Sequence, residues 1–259
     1  MNNELNKRFQ QKFEQRTYRN QFNTFRFTGF ELKHQETDLW IGVDQASFKP
    51  EMKEVALKKI KSLREKIDSY IQSVPFFKKS LKPFQPAENA PIVAIEMAQA
   101  AEKAGIGPMS TVAGLFARET GNEIIQNFSV EELVIENGGD IFALLKTNLV
   151  LSVFAGNSPL SERIGLEITP KNSPLGICTS AGTVGPSLSF GKADAVVVVA
   201  KDVLVADAFA TAFGNKIKSP ADVEKVINDA NIHPEILSLL IICEDKVGVW
   251  GEFEIKILK

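Results

Sequence analysis

From residue 133 onward the chain is cut into strand-length apolar runs by turn signals set close together. Runs 133–136 and 141–145 flank Asn137-Gly138-Gly139-Asp140. A Gly-Gly pair between Asn and Asp marks a tight hairpin turn. Runs 149–155, 164–169 and 194–200 follow, and 239–243, 247–250 and 253–258 read as a closing meander with turns at 244–246 and 251–252. Helical patterns at 203–214 and 220–230 stand among them. Strict strand–helix–strand alternation is absent. The pattern therefore calls for an α+β fold, mostly antiparallel sheet packed with helices, rather than a doubly wound parallel sheet.

The first half is more helical. Residues 25–43 alternate in part and suggest a hairpin across 33–36. Residues 49–74 form the clearest helix, because Met52, Ala56, Ile60, Leu63, Ile67, Tyr70 and Val74 recur at three- and four-residue steps. Pro75 stops it. With Pro83, Pro86 and Pro91, residues 76–91 read as an extended connector and a seam between lobes, if there are two. Helices follow at 92–104, ended by Gly105, and at 109–120, ended by Gly121. The second is so rich in small residues that it must pack closely or offer its first turn to a ligand. Residues 1–20 read as a polar arm before a single domain, 21–259.

Composition narrows the function. The chain is 44% hydrophobic with a formal net charge of -2, so it has no global attraction to nucleic acid or acidic membranes. Its longest apolar runs, 195–200 and 239–243, fall far short of the roughly 20 residues of a membrane span. The N-terminus lacks an apolar signal core, so a cytoplasmic location is expected. Edge strands near the C-terminal meander favour a homodimer. Two cysteines, Cys178 and Cys243, make neither a disulfide framework nor a zinc site. The two histidines, His34 and His233, lie in polar or turn surroundings and read as solvated.

Five glycine-punctuated segments remain as candidate chemistry. Ser110 and Thr111 open a helix, where either hydroxyl can cap it or exposed N–H groups can hold a phosphate. Glu136 and Asp140 flank the Asn137-Gly138-Gly139 turn as acid/base or metal residues, though a solvated turn explains them equally well. Residues 176–185 set Cys178, Thr179, Ser180, Gly182 and Thr183 in what reads as an anion-binding nest with a candidate nucleophile or persulfide carrier. A buried, inert cysteine is the plainer use. Lys192 and Asp194 read as ligand contact or surface ion pair. Asp207 and Thr211 stack one turn apart on a helix and offer two hard oxygens for Mg²⁺; helix-start and packing roles compete with that. No Walker loop or G-x-G-x-x-G turn is present.

Taken in order, Gly107-Pro108-Met109-Ser110, Glu136-Asn137-Gly138-Gly139-Asp140, Cys178-Thr179-Ser180-Ala181-Gly182-Thr183, Phe190-Gly191-Lys192-Ala193-Asp194 and Ala206-Asp207-Ala208-Phe209-Ala210-Thr211 resemble the ApbE superfamily. The likeness is strongest to its cytoplasmic prokaryotic branch. The resemblance implies an ApbE-type α+β fold, Mg²⁺ at Asp207 and Thr211, and a cleft lined by the Asn137–Asp140 turn. The superfamily's flavin transferases move FMN from FAD onto a protein Thr or Ser, so FAD or FMN is the implied ligand. They carry a His-Ile-Ile-Asp-Pro stretch before the Asp/Thr helix; here Ser187-Leu188-Ser189-Phe190-Gly191-Lys192 stands instead. The cytoplasmic branch has been linked with sulfur assimilation. Three readings follow: a protein binding a small phosphorylated ligand with a cation for transfer or hydrolysis, a sulfur carrier using a Cys178 persulfide, and a non-catalytic binding protein.

Overall fold

The computed structural model describes Arg19, residues 25–182 and residues 190–258. The strands are β1 (Phe27–His34), β2 (Thr37–Asp44), β3 (Leu133–Asn137), β4 (Asp140–Leu144), β5 (Leu149–Ser152), β6 (Ile164–Ile168), β7 (Leu175–Ser180), β8 (Ala195–Ala200), β9 (Ile236–Cys243), β10 (Lys246–Gly251) and β11 (Glu254–Ile257). The helices are α1 (Met52–Ser73), α2 (Pro75–Lys79), α3 (Ile92–Lys103), α4 (Val112–Asn127), α5 (Val203–Lys216) and α6 (Val223–Ala230). An eight-stranded sheet runs β1-β2-β3-β4-β7-β8-β9-β10, and a three-stranded sheet runs β11-β6-β5. Their pairings are antiparallel. The fold is α+β, as the turn-cut pattern requires.

Two apolar cores lie on opposite faces of the large sheet. The helices cover one face and the small sheet the other. In β8, Val196, Val198 and Ala200 join the helical core, while Ala195, Val197 and Val199 join the inter-sheet core. Alternate residues of a strand face opposite sides. A central strand of a three-layer stack is therefore apolar throughout, which is why this run does not alternate.

The α1 stripe is buried as its periodicity requires, with Met52, Ala56, Ile60, Leu63, Ile67 and Tyr70 turned inward. Pro75 ends α1 and also starts α2, because a proline at the first helical position loses no hydrogen bond. The 75–91 segment is thus not wholly extended. Phe77, fully buried, meets the rings of Tyr70 and Phe84 at 5.1 and 5.6 Å. It belongs to the same core as residues on both sides of that segment.

Three other expectations change. α4 begins after a 3-10 turn (Pro108–Thr111) and runs through Gly121. A Cβ at Gly121 would sit 2.5 Å from the Phe142 ring, so glycine serves helix-to-strand packing there and not termination. The C-terminal meander does not close: β11 pairs with β6 in the small sheet. Gly251, at φ 118°, turns the chain, and Phe253 donates its N–H to Ser238 Oγ and buries its ring between the sheets. Residues 176–180 of the expected glycine-rich loop 176–185 belong instead to the central strand β7.

Candidate functional site

The β3–β4 hairpin pairs Asn137 with Asp140 across Gly138 and Gly139, whose φ angles are 68° and 104°. Side chains avoid that region, so the Gly-Gly pair is what permits so short a link. Two side chains hold the turn. Glu136 Oε1 accepts from the Gly139 N–H at 3.0 Å. Asn137 Nδ2 donates to the Ala113 carbonyl at 3.0 Å, tying the turn to the first residues of α4.

α5 approaches the same place from the other side. A Cβ at Gly176 would stand 2.4 Å from Val203 Cα, so β7 and α5 touch backbone to backbone. A Cβ at Gly114 would meet the Val203 carbonyl and Asp207 Cβ at 3.0 and 3.1 Å. Asp207, 5% exposed, accepts the Gly114 N–H on Oδ2 at 2.8 Å. Gly114 is the third residue of α4, and its N–H is one of the donors a helix start leaves unpaired. A carboxylate is favoured there by the helix dipole. Burial pushes the Asp207 carboxyl up to about 7, with the Gly114 bond pulling the other way. Asp207 is not a helix-start residue of its own helix: Asp202 caps α5, accepting from Leu204 N–H. Thr211, half-buried, follows one turn on.

Cys178 pairs in register with Asp140 on one side and Val198 on the other. It is fully buried, with Sγ 3.5 Å from the Val203 carbonyl. Burial raises its thiol well above the ordinary value, and the charges of Asp140 and Asp207 add to the effect. A nucleophile or persulfide carrier needs an accessible thiolate. This sulfur has two carboxylates favouring its proton, so the plain reading of an inert core cysteine fits it. The anion nest fails too over 176–180, because that backbone forms ladders with β4 and β8. Thr179 N–H donates to the Gly139 carbonyl, and Ser180 pairs with Val196.

The remaining candidates separate from this cluster or hold its edges. Ser110 Oγ and Thr111 Oγ1 donate back to the carbonyls of Gly107 and Pro108, and neither caps α4. The 3-10 turn takes those hydroxyls before the helix begins. Gly182 donates to the Ala193 carbonyl and the Lys192 N–H to the Ile217 carbonyl, while the Lys192 side chain is exposed. Asp194 accepts from the Glu244 N–H, bracing the β9–β10 turn. Thr183 and the arm residues before Arg19 lie outside the described residues. His233 is half-buried against the Phe209 ring, 4.6 Å between centroids, because α5 presents an aromatic face to it. The structure thus gathers Asn137–Asp140, Cys178, Thr179 and Asp207 around the start of α4. Two partners were missed, Gly114 and Arg19. The small pair Ala113-Gly114 was a faint signal for the first; nothing local marked the second, which bonds Glu136 across 117 positions.

The donor chemistry suits a hard divalent cation in part. Among the described residues, Asp207 has no cationic side chain paired with it, and no group of three or more His, Cys, Asp or Glu is arranged around a common point. One carboxylate and one hydroxyl fit a cation whose other ligands are water and phosphate oxygens. No helix among the described residues is long and apolar enough to cross a membrane.

Comparison with known proteins bears on the family and the fold. A profile of the family described as AbpE bacteria matches residues 19–235. A UPF0280 protein of Methanosarcina barkeri is 38% identical over 224 residues, covering 86% of this chain and 85% of the relative. A UPF0280 protein of Methanocaldococcus jannaschii is 35% identical over 224 residues, covering 84% and 88%. Among solved structures, the flavin transferase ApbE from Vibrio cholerae superposes with a TM-score of 0.57 at 11% identity, covering 86% of this chain and 96% of that one. The ApbE protein from Thermotoga maritima gives 0.53 at 15% identity with the same coverage.

Proposed function

The chain belongs to the AbpE bacteria family, with an ApbE-like fold, and from that premise we propose that it binds a flavin nucleotide, FAD or FMN, beside the start of α4. The observation that carries the reading is the buried Asp207 carboxylate, which accepts a backbone N–H and among the described residues has no cationic side chain paired with it. A buried carboxylate without a counter-charge is costly and tends to take up a proton. A divalent cation at Asp207 and Thr211 supplies the missing charge and neutralises the ligand's phosphates beside it. In this reading the Asn137–Asp140 turn lines the cleft, and Asp140 is the group assigned to exchange a proton with the ligand. Gly114 holds Asp207 in place. The chemistry that follows is transfer or hydrolysis at the phosphate linkage. The name of the Vibrio cholerae structure supports flavin as the ligand class.

Calorimetry with FAD, FMN and ATP, with and without Mg²⁺, tests this. Wild type is expected to bind FAD in a Mg²⁺-dependent manner, and Asp207→Ala to weaken that binding by about 100-fold, the scale of a lost charge-assisted contact. Equal binding by wild type and Asp207→Ala removes the cation from the reading. One observation favours a non-catalytic binding protein instead. Asp207 and Asn137 both already serve the α4 start through Gly114 and Ala113. Flavin that binds tightly but is recovered unchanged after incubation with Mg²⁺ and Ser/Thr peptides would select that alternative.

A further inference from the structure

Glu136 was a candidate acid, yet its side chain is only 2% exposed and it does not stand alone. Arg19 Nε donates to Glu136 Oε2 at 2.7 Å, and Nη2 reaches the same oxygen at 2.7 Å. The rest of the guanidinium faces the neighbouring strands. Nη1 meets Asp38 Oδ1 at 2.7 Å and Glu31 Oε1 at 3.3 Å, and Nη2 donates to the Asp38 carbonyl at 2.9 Å. Both N–H groups converge on Oε2, which leaves Oε1 aimed at the turn, where it accepts from Gly139. One carboxylate thus connects a buried cation to the amide of a left-handed glycine.

We propose that Arg19 is a positioning residue for the ligand site: through Glu136 it sets the Gly138–Gly139 turn without touching the ligand itself. The site role rests on the reading of that turn as flavin-lining; the effect on the turn does not. Gly139 has no side chain to pack, and at φ 104° it is held by the Thr179 N–H on its carbonyl and by Glu136 on its amide, so losing the Glu136 bond frees its amide side. The ion pair sets a counter-charge of good geometry beside the buried Glu136 side chain. A guanidinium suits the task because its N–H groups fork in a fixed plane, which an ammonium cannot reproduce. A purely structural staple of β1, β2 and β3 would lower global stability without opening the turn locally; the proposed relay adds a local opening of the turn.

Hydrogen exchange on the full chain distinguishes the two, read on peptides covering 136–141 and, for reference, 236–243. The proteins are wild type, Arg19→Lys, Arg19→Gln and the double variant Arg19→Gln with Glu136→Gln, each with and without FAD and Mg²⁺. Arg19→Gln is expected to speed exchange of the Gly139 amide by about tenfold, the scale of one lost hydrogen bond, at short exchange times over which the reference strand stays protected. The double variant removes both charges but keeps an acceptor for Gly139, so protection returns to within about threefold of wild type. FAD affinity is expected to follow the same fall and recovery. If Arg19→Gln does not fold, the partial loosening expected of Arg19→Lys and the recovery in the double variant carry the same readings. Unchanged turn exchange, or equal loosening of both peptides, overturns the relay. If the turn loosens as expected but wild type shows neither FAD binding nor FAD protection, the relay stands and the flavin reading falls.

Discussion

Glu136 and Asp207 are two buried carboxylates on either side of the contact between Asn137 and Ala113, and they are equipped differently. Glu136 has an arginine on one oxygen and a glycine amide on the other. Asp207 has a glycine amide and, among the described residues, no cationic partner, and burial pushes it up to about 7. Removing a charge from water is repaid only by a partner of good geometry. Among the described residues that partner is present at Glu136 and absent at Asp207. The contrast separates a carboxylate that completes the scaffold from one left to be completed by a ligand or cation.

The largest effect should come from breaking the paired side. Arg19→Ala strands Glu136 without its counter-charge and should cost about 3–5 kcal/mol of unfolding free energy, read from urea melts at pH 7. A loss under about 1 kcal/mol would mean that Glu136 is solvated after all and would erase the comparison.

The unpaired side should respond in the opposite sense. A carboxyl raised in the folded state keeps its proton there when the unfolded chain has already released it. Its contribution is full at low pH and is lost as pH climbs from about 4 through about 7. Asp207→Asn keeps an acceptor for Gly114 and never ionises. At pH 8 and without metal it should be more stable than wild type by about 2–4 kcal/mol, with a flatter pH profile. Parallel profiles for the two proteins would show that Asp207 carries no strain.

Glu132 gives a smaller and opposite calibration. Hydrogen bonding from Arg26 brings its carboxyl down to about 2 against burial, helped by the N–H groups of Lys146 and Thr147. Its contribution is present above about 4.5 and is lost as pH falls toward 2, so Glu132→Gln should cost about 1 kcal/mol at pH 7 and little at pH 2. Equal costs at both pH values would assign the effect to packing. The smallest effect belongs to Cys178. Cys178→Ser should leave FAD affinity within about twofold, and a thiol reagent should reach Cys178 only after denaturant is added. Rapid labelling of the native protein at Cys178 would reinstate the sulfur-carrier reading.

Much of this was legible from local pattern, and the exceptions share one cause. The α1 stripe, the Gly-Gly hairpin and the C-terminal runs all announce themselves within a few residues, because periodicity and turn chemistry act at short range. β7 did not. Its glycines and hydroxyls resemble a loop, yet Gly176 is there so that Val203 can press against the strand. Gly121 resembles a stop and instead makes room for Phe142. In each case the residue is small because of a neighbour far along the chain. At the site, Asp207 was evident as a candidate, but its partner Gly114 lies 93 positions away.

By itself the sequence determined most of the elements, the antiparallel character of the sheets and the turn at Asn137–Asp140. Hydrogen bonding, side-chain alternation and backbone sterics settle those over a few residues. Only the tertiary structure decided which carboxylate is paired, that Cys178 is sealed in the core, and that Arg19 reaches the glycine turn through Glu136. Charge state and access depend on burial and on neighbours gathered from distant strands and helices, and those exist only once the three layers have closed.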